Sequence, residues 1–297
     1  QLFKEEADRQ GKVLILWVIG RRDALREFKR EAQACGIPAS GELFRAVECL
    51  ALASRYTPGK RPSTLTINHH VPSPRRSRRI LDAHPEQIWD EYESKRLLAA
   101  WRIPVVNEAV VDSAAAALRA ARSLGYPVVL KGLRPGLVHK TESGLVRLGL
   151  STPAALRKSF AELQGRLKGR GRILIQRQIG ADFELIAGAI RDDQFGPCVM
   201  FGLGGIFSEL QKDVVFAPAP LSLSTARRLI DRISAKKLLQ GFRGMKPLDM
   251  KTMAGILVAV GNILAAEKDI EQIDINPLVV GQGKPVAVDA TIIRKKV

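Results

Sequence analysis

Cysteine is scarce in this chain of 297 residues: Cys35, Cys49 and Cys198 show no metal-ligand spacing and are too few for a disulfide framework. Each sits among apolar neighbours, so all three are expected to be small buried residues in a reducing cytoplasm. Long apolar runs are missing too. Ile256 to Ala266 is shorter than the roughly 18 residues a bilayer requires and contains Gly261 and Asn262, so no membrane partner is expected. Aromatic residues make up only 5% of the chain, and none interleaves with its densest basic cluster, Arg75-Arg76-Ser77-Arg78-Arg79. That lack argues against nucleic acid as the partner of a net charge of +17, because base stacking is the usual companion of such a patch. No signal peptide opens the chain, which begins at Gln1 rather than methionine, and an upstream part is expected.

What is present is the composition of a globular protein, 46% hydrophobic and 26% charged. The excess of positive charge lies almost wholly in residues 1–180, and residues 181–297 are close to balance. Residues 12–19 form a continuous apolar run suited to a buried parallel strand. A helical pattern follows from Asp23 to Ala34, then a short strand edge at Ile37-Pro38-Ala39 and helical spacing from Glu42 to Tyr56. Strand, helix, strand, helix indicates part of an α/β parallel sheet, with the remainder expected upstream. Thr57 to Arg79 holds Pro58, Pro62, Pro72 and Pro74 without a sustained period and reads as a basic linker; His69-His70 lies inside it as a solvated pair.

Beyond the linker, the spacing predicts helices over Glu91–Ala100 and Ser113–Leu124 and strands over 105–111 and 125–131, the latter ending in Lys131. A lysine at the end of a rigid strand can set its ammonium on a phosphate as a point charge. A loop with His139, Lys140 and Gly144 follows, of a kind that can cradle phosphate through backbone N–H groups. Further strands are expected over 172–178, 182–190 and 198–201, the last broken by Gly202-Leu203-Gly204-Gly205. Helices follow around Ser224–Leu239 and Asp249–Ala266.

The chain closes with apolar segments on both sides of Gly281-Gln282-Gly283, which reads as a hairpin. If Gln282-Gly283 is a two-residue turn, Gly281 pairs with Lys284, and counting back sets Asn276 opposite Asp289 with Asp274 on the same face. Three oxygen-bearing side chains together suit a hard cation such as magnesium, shared with substrate phosphates. A solvated hairpin face would carry the same residues.

Taken in order, these segments resemble the ATP-grasp domain of the NDP-forming acyl-CoA synthetases, which are related to the beta subunit of succinyl-CoA synthetase. The resemblance runs from about Glu91 to Ile292. It is carried by Tyr126-Pro127-Val128-Val129-Leu130-Lys131, His139-Lys140, Phe195-Gly196-Pro197, Phe201-Gly202-Leu203-Gly204-Gly205, Gly241-Phe242-Arg243-Gly244 and Asp274-Ile275-Asn276-Pro277. Residues 12–56 look like the end of the flavodoxin-like domain that precedes it in fused members. The implied organisation is an α/β chain: a partial flavodoxin-like parallel-sheet segment over 1–60, the basic Pro-rich linker over 61–84, and an α+β ATP-grasp domain over 85–297.

The resemblance also implies roles. Lys131 matches the lysine on the nucleotide phosphates, and Gln176 to Ile179, with Gln178, the hinge along the adenine pocket. Glu184 matches an acidic residue near the ribose, and Asn276 and Asp289 the magnesium ligands, leaving Asp274 unmatched. His139 matches a histidine that carries phosphoryl in related ADP-forming enzymes. Glu209 and Asp213 occupy acidic positions after the Gly204-Gly205 loop, and Arg243 a basic position suited to anchoring phosphate. Relatives usually have a second glycine where this chain has Leu145, aspartate in place of Glu142 and methionine in place of Gln178; a side chain at 145 would limit backbone approach to phosphate.

The implied reaction is carboxylic acid + ATP + CoA giving acyl-CoA + ADP + phosphate through a phosphohistidine. This chain would be the nucleotide half, with ATP/ADP and Mg2+ bound here and CoA bound mainly outside it. No Gly-rich CoA-binding segment is visible, so a CoA-binding alpha-type domain or subunit is expected as partner, in a homo- or hetero-oligomer, with a small carboxylic acid as substrate. Two other readings stand beside it: a regulatory ATP-grasp module of a larger acyltransferase-type protein, and a basic nucleic-acid-binding protein.

Overall fold

The computed structural model describes residues 2–18, 20, 22–41, 43, 46–47, 50, 73–134, 143–192, 195–205, 213–242 and 244–295, with backbone alone at 22–24. The chain divides into two compact units, Gln1–His69 and His70–Val297.

The first unit contains α1 (Leu2–Arg9), β1 (Leu16–Trp17), α2 (Arg22–Ala34) and β2 (Ala39–Ser40). β1 and β2 pair in parallel, Leu16 beside Ala39 and Trp17 beside Ser40, with α2 as the crossover. β1, α2 and β2 follow the sequence pattern, and the helix expected over Glu42–Tyr56 lies largely outside the described residues; the burial differs from expectation, since Val13 and Trp17 are exposed. A two-stranded sheet cannot cover both faces of a strand, which parallel sheets with helices on each side do. Cys35, in the turn that ends α2, is also exposed, Cys198 is half-buried, and Cys49 lies outside the described residues.

The second unit opens with a helix where a linker is expected. α3 (Arg75–Ala83) turns Ser77, Ile80 and Leu81 inward at helical spacing, while Arg75, Arg76, Arg78 and Arg79 all face solvent. The run of arginines is thus the outer face of an amphipathic helix, which composition alone conceals. Pro58, Pro62 and Pro72 lie outside the described residues, and Pro74 is the N-cap of α3. α4 (Glu91–Ala100) follows, capped by Asp90, whose carboxylate accepts from the Glu93 N–H at 3.1 Å.

A four-stranded antiparallel sheet is then built from β3 (Glu108–Val111), β4 (Val128–Leu133), β5 (Val146–Leu150) and β6 (Arg172–Arg177), in the order β3-β6-β4-β5. α5 (Ala114–Leu124) and α6 (Pro153–Leu167) cover it and close a core around Leu130, Leu156, Phe160, Leu163 and Ile175. The sequence contains a signal for α6 that periodicity reading passed over: Thr152 caps it, Pro153 opens it, and Leu156, Phe160, Leu163 and Leu167 recur at helical spacing.

The larger sheet contains β7 (Phe183–Asp192), β8 (Gly196–Leu203), β9 (Val214–Pro218), β10 (Ile270–Gly281) and β11 (Lys284–Ala287), in the order β11-β10-β7-β8-β9, and β12 (Thr291–Arg294) also pairs with β10. α7 (Leu223–Ile230), α8 (Lys236–Leu239) and α9 (Met250–Ala266) belong to this half, where a single helix is expected over 224–239. The break at 231–235 has a partner: the Asp213 carboxylate accepts from the N–H groups of Ser234 and Ala235 at 2.9 and 3.1 Å. Asp213 is therefore committed to shaping that turn. α9 packs its apolar length against β7, β8 and β10 in the main core. The two sheets are joined where Val106 donates to the Ala287 carbonyl and Ala287 to that of Pro104, at 3.0 and 2.9 Å.

Candidate active site

The closing hairpin forms as its sequence requires. Gln282 and Gly283 both have positive φ, and Gly281 pairs with Lys284. The same register runs from Leu278 beside Ala287 and resumes beyond a break, where Asp274 lies beside Thr291 of β12. Asn276 and Asp289 face each other in the interval, next to the contact from the Val288 N–H to the Pro277 carbonyl at 3.3 Å. Asp274 is half-buried on the same side; burial and then repulsion from Asp289 push its carboxyl above the ordinary range. Among the described residues, no three His, Cys, Asp or Glu side chains form a group able to hold a metal ion. The hairpin instead offers Asn276 and Asp289, an amide and a carboxylate, beside the second carboxylate of Asp274. That donor set fits magnesium, which commonly takes one or two carboxylates and completes its shell with water and substrate phosphates.

Lys131 meets this hairpin from the other sheet. It lies on β4, a strand buried along its whole length. Its Nζ donates to Glu91 Oε1 at 2.7 Å and to the Val288 carbonyl at 2.9 Å, and stands 3.6 Å from Asp289 Oδ2. Lys95, one turn along α4 from Glu91, donates to the same Glu91 oxygen at 2.6 Å, to the same Val288 carbonyl at 3.1 Å, to Gln176 Oε1 at 3.2 Å and to Glu108 Oε2. Glu91, Lys95 and Gln176 are all buried. Burial raises the Glu108 carboxyl to about 7 against the opposing pull of Lys95. Charges taken out of water are tolerated only when paired in this way.

Three of the sequence-predicted residues, Lys131, Gln176 and Asp289, thus belong to one connected cluster, and Asn276 adjoins it by register. Gln178 is turned elsewhere: its Oε1 accepts from the Gly149 N–H of β5 at 2.7 Å, which gives a polar residue a use where relatives have methionine. Ile179 and Gly180 lie against Gly281, and a Cβ at 281 would stand 2.5 Å from the Gly180 carbonyl, so the hinge and hairpin backbones touch. Glu184 pairs with Val279, its carbonyl accepts from the Gly204 N–H at 2.9 Å, and its carboxylate lies beside Gly205, whose φ is +63°. Glu184, Gly204 and Gly205 therefore form a second group where the start of β7 meets the end of β8. The Leu145 side chain is buried against Gly132 in the smaller core, and residues 135–142 of the loop before it lie outside the described residues. His139, Glu142, Glu209 and Arg243 lie outside the described residues. Reading of the sequence missed Glu91, Lys95 and Glu108; only the Glu91–Lys95 spacing on a helix hints at them, and such pairs are ordinary on exposed faces.

Two sheets thus meet at a buried lysine, with an oxygen-rich hairpin at the seam. Residues 81–293 match the family model of the ATP-grasp domain. The chain is 36% identical over 209 residues to the beta subunit of acetate–CoA ligase (ADP-forming) I from Pyrococcus furiosus, a match covering 68% of this chain and 90% of that one. It is 30% identical over 278 residues to acetate–CoA ligase (ADP-forming) I of Archaeoglobus fulgidus, covering 90% of this chain but 40% of that longer one. A solved structure of the dinucleotide-forming acetyl-coenzyme A synthetase 1 of Ca. Korarchaeum cryptofilum, in complex with coenzyme A and Ca-AMPCP, superposes with a TM-score of 0.69 at 37% identity over 72% of this chain and 96% of that one. A further complex of that protein holds Mg-AMPPCP, with a phosphohistidine segment pointing towards the nucleotide binding site. The chain belongs to the ATP-grasp family. Within it, the chain corresponds to the ATP-grasp part of the ADP-forming acid–CoA ligases. No helix among the described residues is long and apolar enough to cross a membrane.

Proposed function

We propose that this chain binds ATP and magnesium and carries out the phosphoryl-transfer half of an ADP-forming acid–CoA ligase reaction. The observation that carries the reading is the meeting of Lys131 with Asp289 at 3.6 Å, from strands of two different sheets. Lys131 contacts the nucleotide phosphates; Gln176, Gln178 and Ile179 line the adenine side, and Glu184 approaches the ribose beside Gly204 and Gly205. Magnesium, when bound, is held by Asn276 and Asp289 and supplies charge neutralisation of the phosphates. The imidazole of neutral His139 attacks the terminal phosphorus. The bond to the bridging oxygen breaks with its electron pair leaving on ADP, and the phosphoryl group remains on the ring nitrogen. Arg243 anchors a phosphate oxygen.

The acid-activating half requires a CoA-binding alpha-type domain or subunit, in keeping with the subunit-beta relative and with longer relatives of which this chain spans less than half. Residues 1–60 would be the tail of such a domain, with the connection ending before α3, and the whole would work in the cytoplasm. The test is incubation of the chain, with and without its partner, with terminally labelled ATP. An acid-labile, base-stable protein label that Asp289→Ala and His139→Ala abolish supports the reading. A label that persists in both variants overturns it, and acyl-CoA made by the chain unaided overturns the need for a partner.

A further inference from the structure

Among the buried charges, Lys95 has no part in the reading above, although its ammonium is the most heavily bonded in the cluster. It has four acceptors within hydrogen-bonding reach: Glu91, Glu108, Gln176 and the Val288 carbonyl. A lysine has three N–H donors, so this group is saturated by protein and is held away from any ligand. Two of its acceptors, Glu91 Oε1 and the Val288 carbonyl, are the same two that hold Lys131. The Glu91 side chain is fully enclosed, so its charge is met by lysines rather than by water.

We propose that Lys95 is a positioning residue for the phosphate-contacting ammonium of Lys131, acting through the Glu91 carboxylate that both lysines share. The proposal rests on the reading of Lys131 as a phosphate contact. Glu91 and a nucleotide phosphate compete for the same ammonium. With Lys95 present, the charge of Glu91 is divided between two cations, and Lys131 can exchange one partner for phosphate without leaving a buried carboxylate uncompensated. Without Lys95, Lys131 is the remaining cation of the shared pair on Glu91, and firmer capture of that ammonium by the carboxylate opposes nucleotide binding.

The experiment measures the dissociation constant of the full chain for a magnesium complex of a non-hydrolysable ATP analogue by titration calorimetry. Lys95→Met is expected to weaken binding by at least about 10-fold, the range a buried charge-assisted hydrogen bond commands. Adding Glu91→Gln to Lys95→Met is expected to restore affinity to within about 3-fold of wild type, because the competing carboxylate is gone. A purely structural role predicts the reverse, a double variant worse than the single one. Wild-type affinity in Lys95→Met, or no recovery in the double variant, overturns the proposal. If Lys95→Met does not fold, Lys95→Met/Glu108→Gln removes the charge left opposite and takes its place, with Glu91→Gln added to it as the recovery arm. Lys131→Met separates the two levels: unchanged affinity in that variant refutes the reading of Lys131 itself.

Discussion

Replacing Glu108 by glutamine tests the burial of the charged cluster through its proton. The folded-state carboxyl titrates at about 7, raised from 4.5 mainly by burial. A carboxyl whose folded value is raised binds more protons folded than unfolded between those two values, so its contribution to stability grows as pH falls through 7 and is lost as pH rises. Between pH 8 and pH 5.5 the linkage relation gives roughly 2 kcal/mol from this one group. For a domain of this size that corresponds to about 4–8 °C in Tm. Other groups also titrate in this window, so the quantity to compare is the difference between wild type and Glu108→Gln. Thermal unfolding at the two pH values should show wild type gaining on the variant by about 4–8 °C at the lower pH. Equal shifts in both proteins would refute a buried, proton-accepting Glu108.

Two further outcomes follow from the geometry. Lys131→Met should leave a folded protein, because Glu91 keeps Lys95 as counterion, while nucleotide affinity measured by calorimetry falls about 10–100-fold. Gly281→Ala brings a Cβ to 2.5 Å from the Gly180 carbonyl, so urea unfolding should show a loss of about 1–3 kcal/mol, with weaker nucleotide binding as the hairpin and hinge part.

Local signals carried much of the fold. The two-residue turn at Gln282-Gly283 sets the hairpin register, and from the register alone Asn276 falls opposite Asp289. Caps at Asp90, Ser113 and Asp249 mark helix starts that the pattern predicts. What stayed hidden depends on contacts distant in the chain. Glu91 and Lys95 show only an ordinary helical spacing in the sequence, and their cluster forms through Lys131, Glu108, Gln176 and the Val288 carbonyl. The break between α7 and α8 is fixed by Asp213, about twenty residues earlier, which no window of helical spacing includes. The arginine run of α3 looked like linker because its charge outweighed the Ser77, Ile80 and Leu81 stripe.

We propose the seam between Lys131 and the closing hairpin as a magnesium–nucleotide site. Its most direct test is calorimetric titration of wild type and Asp289→Ala with an ATP analogue, each with and without magnesium. Wild type is expected to bind in a magnesium-dependent way, and the variant at least about 10-fold more weakly and indifferently to magnesium. Equal, magnesium-dependent affinity in both proteins would contradict it.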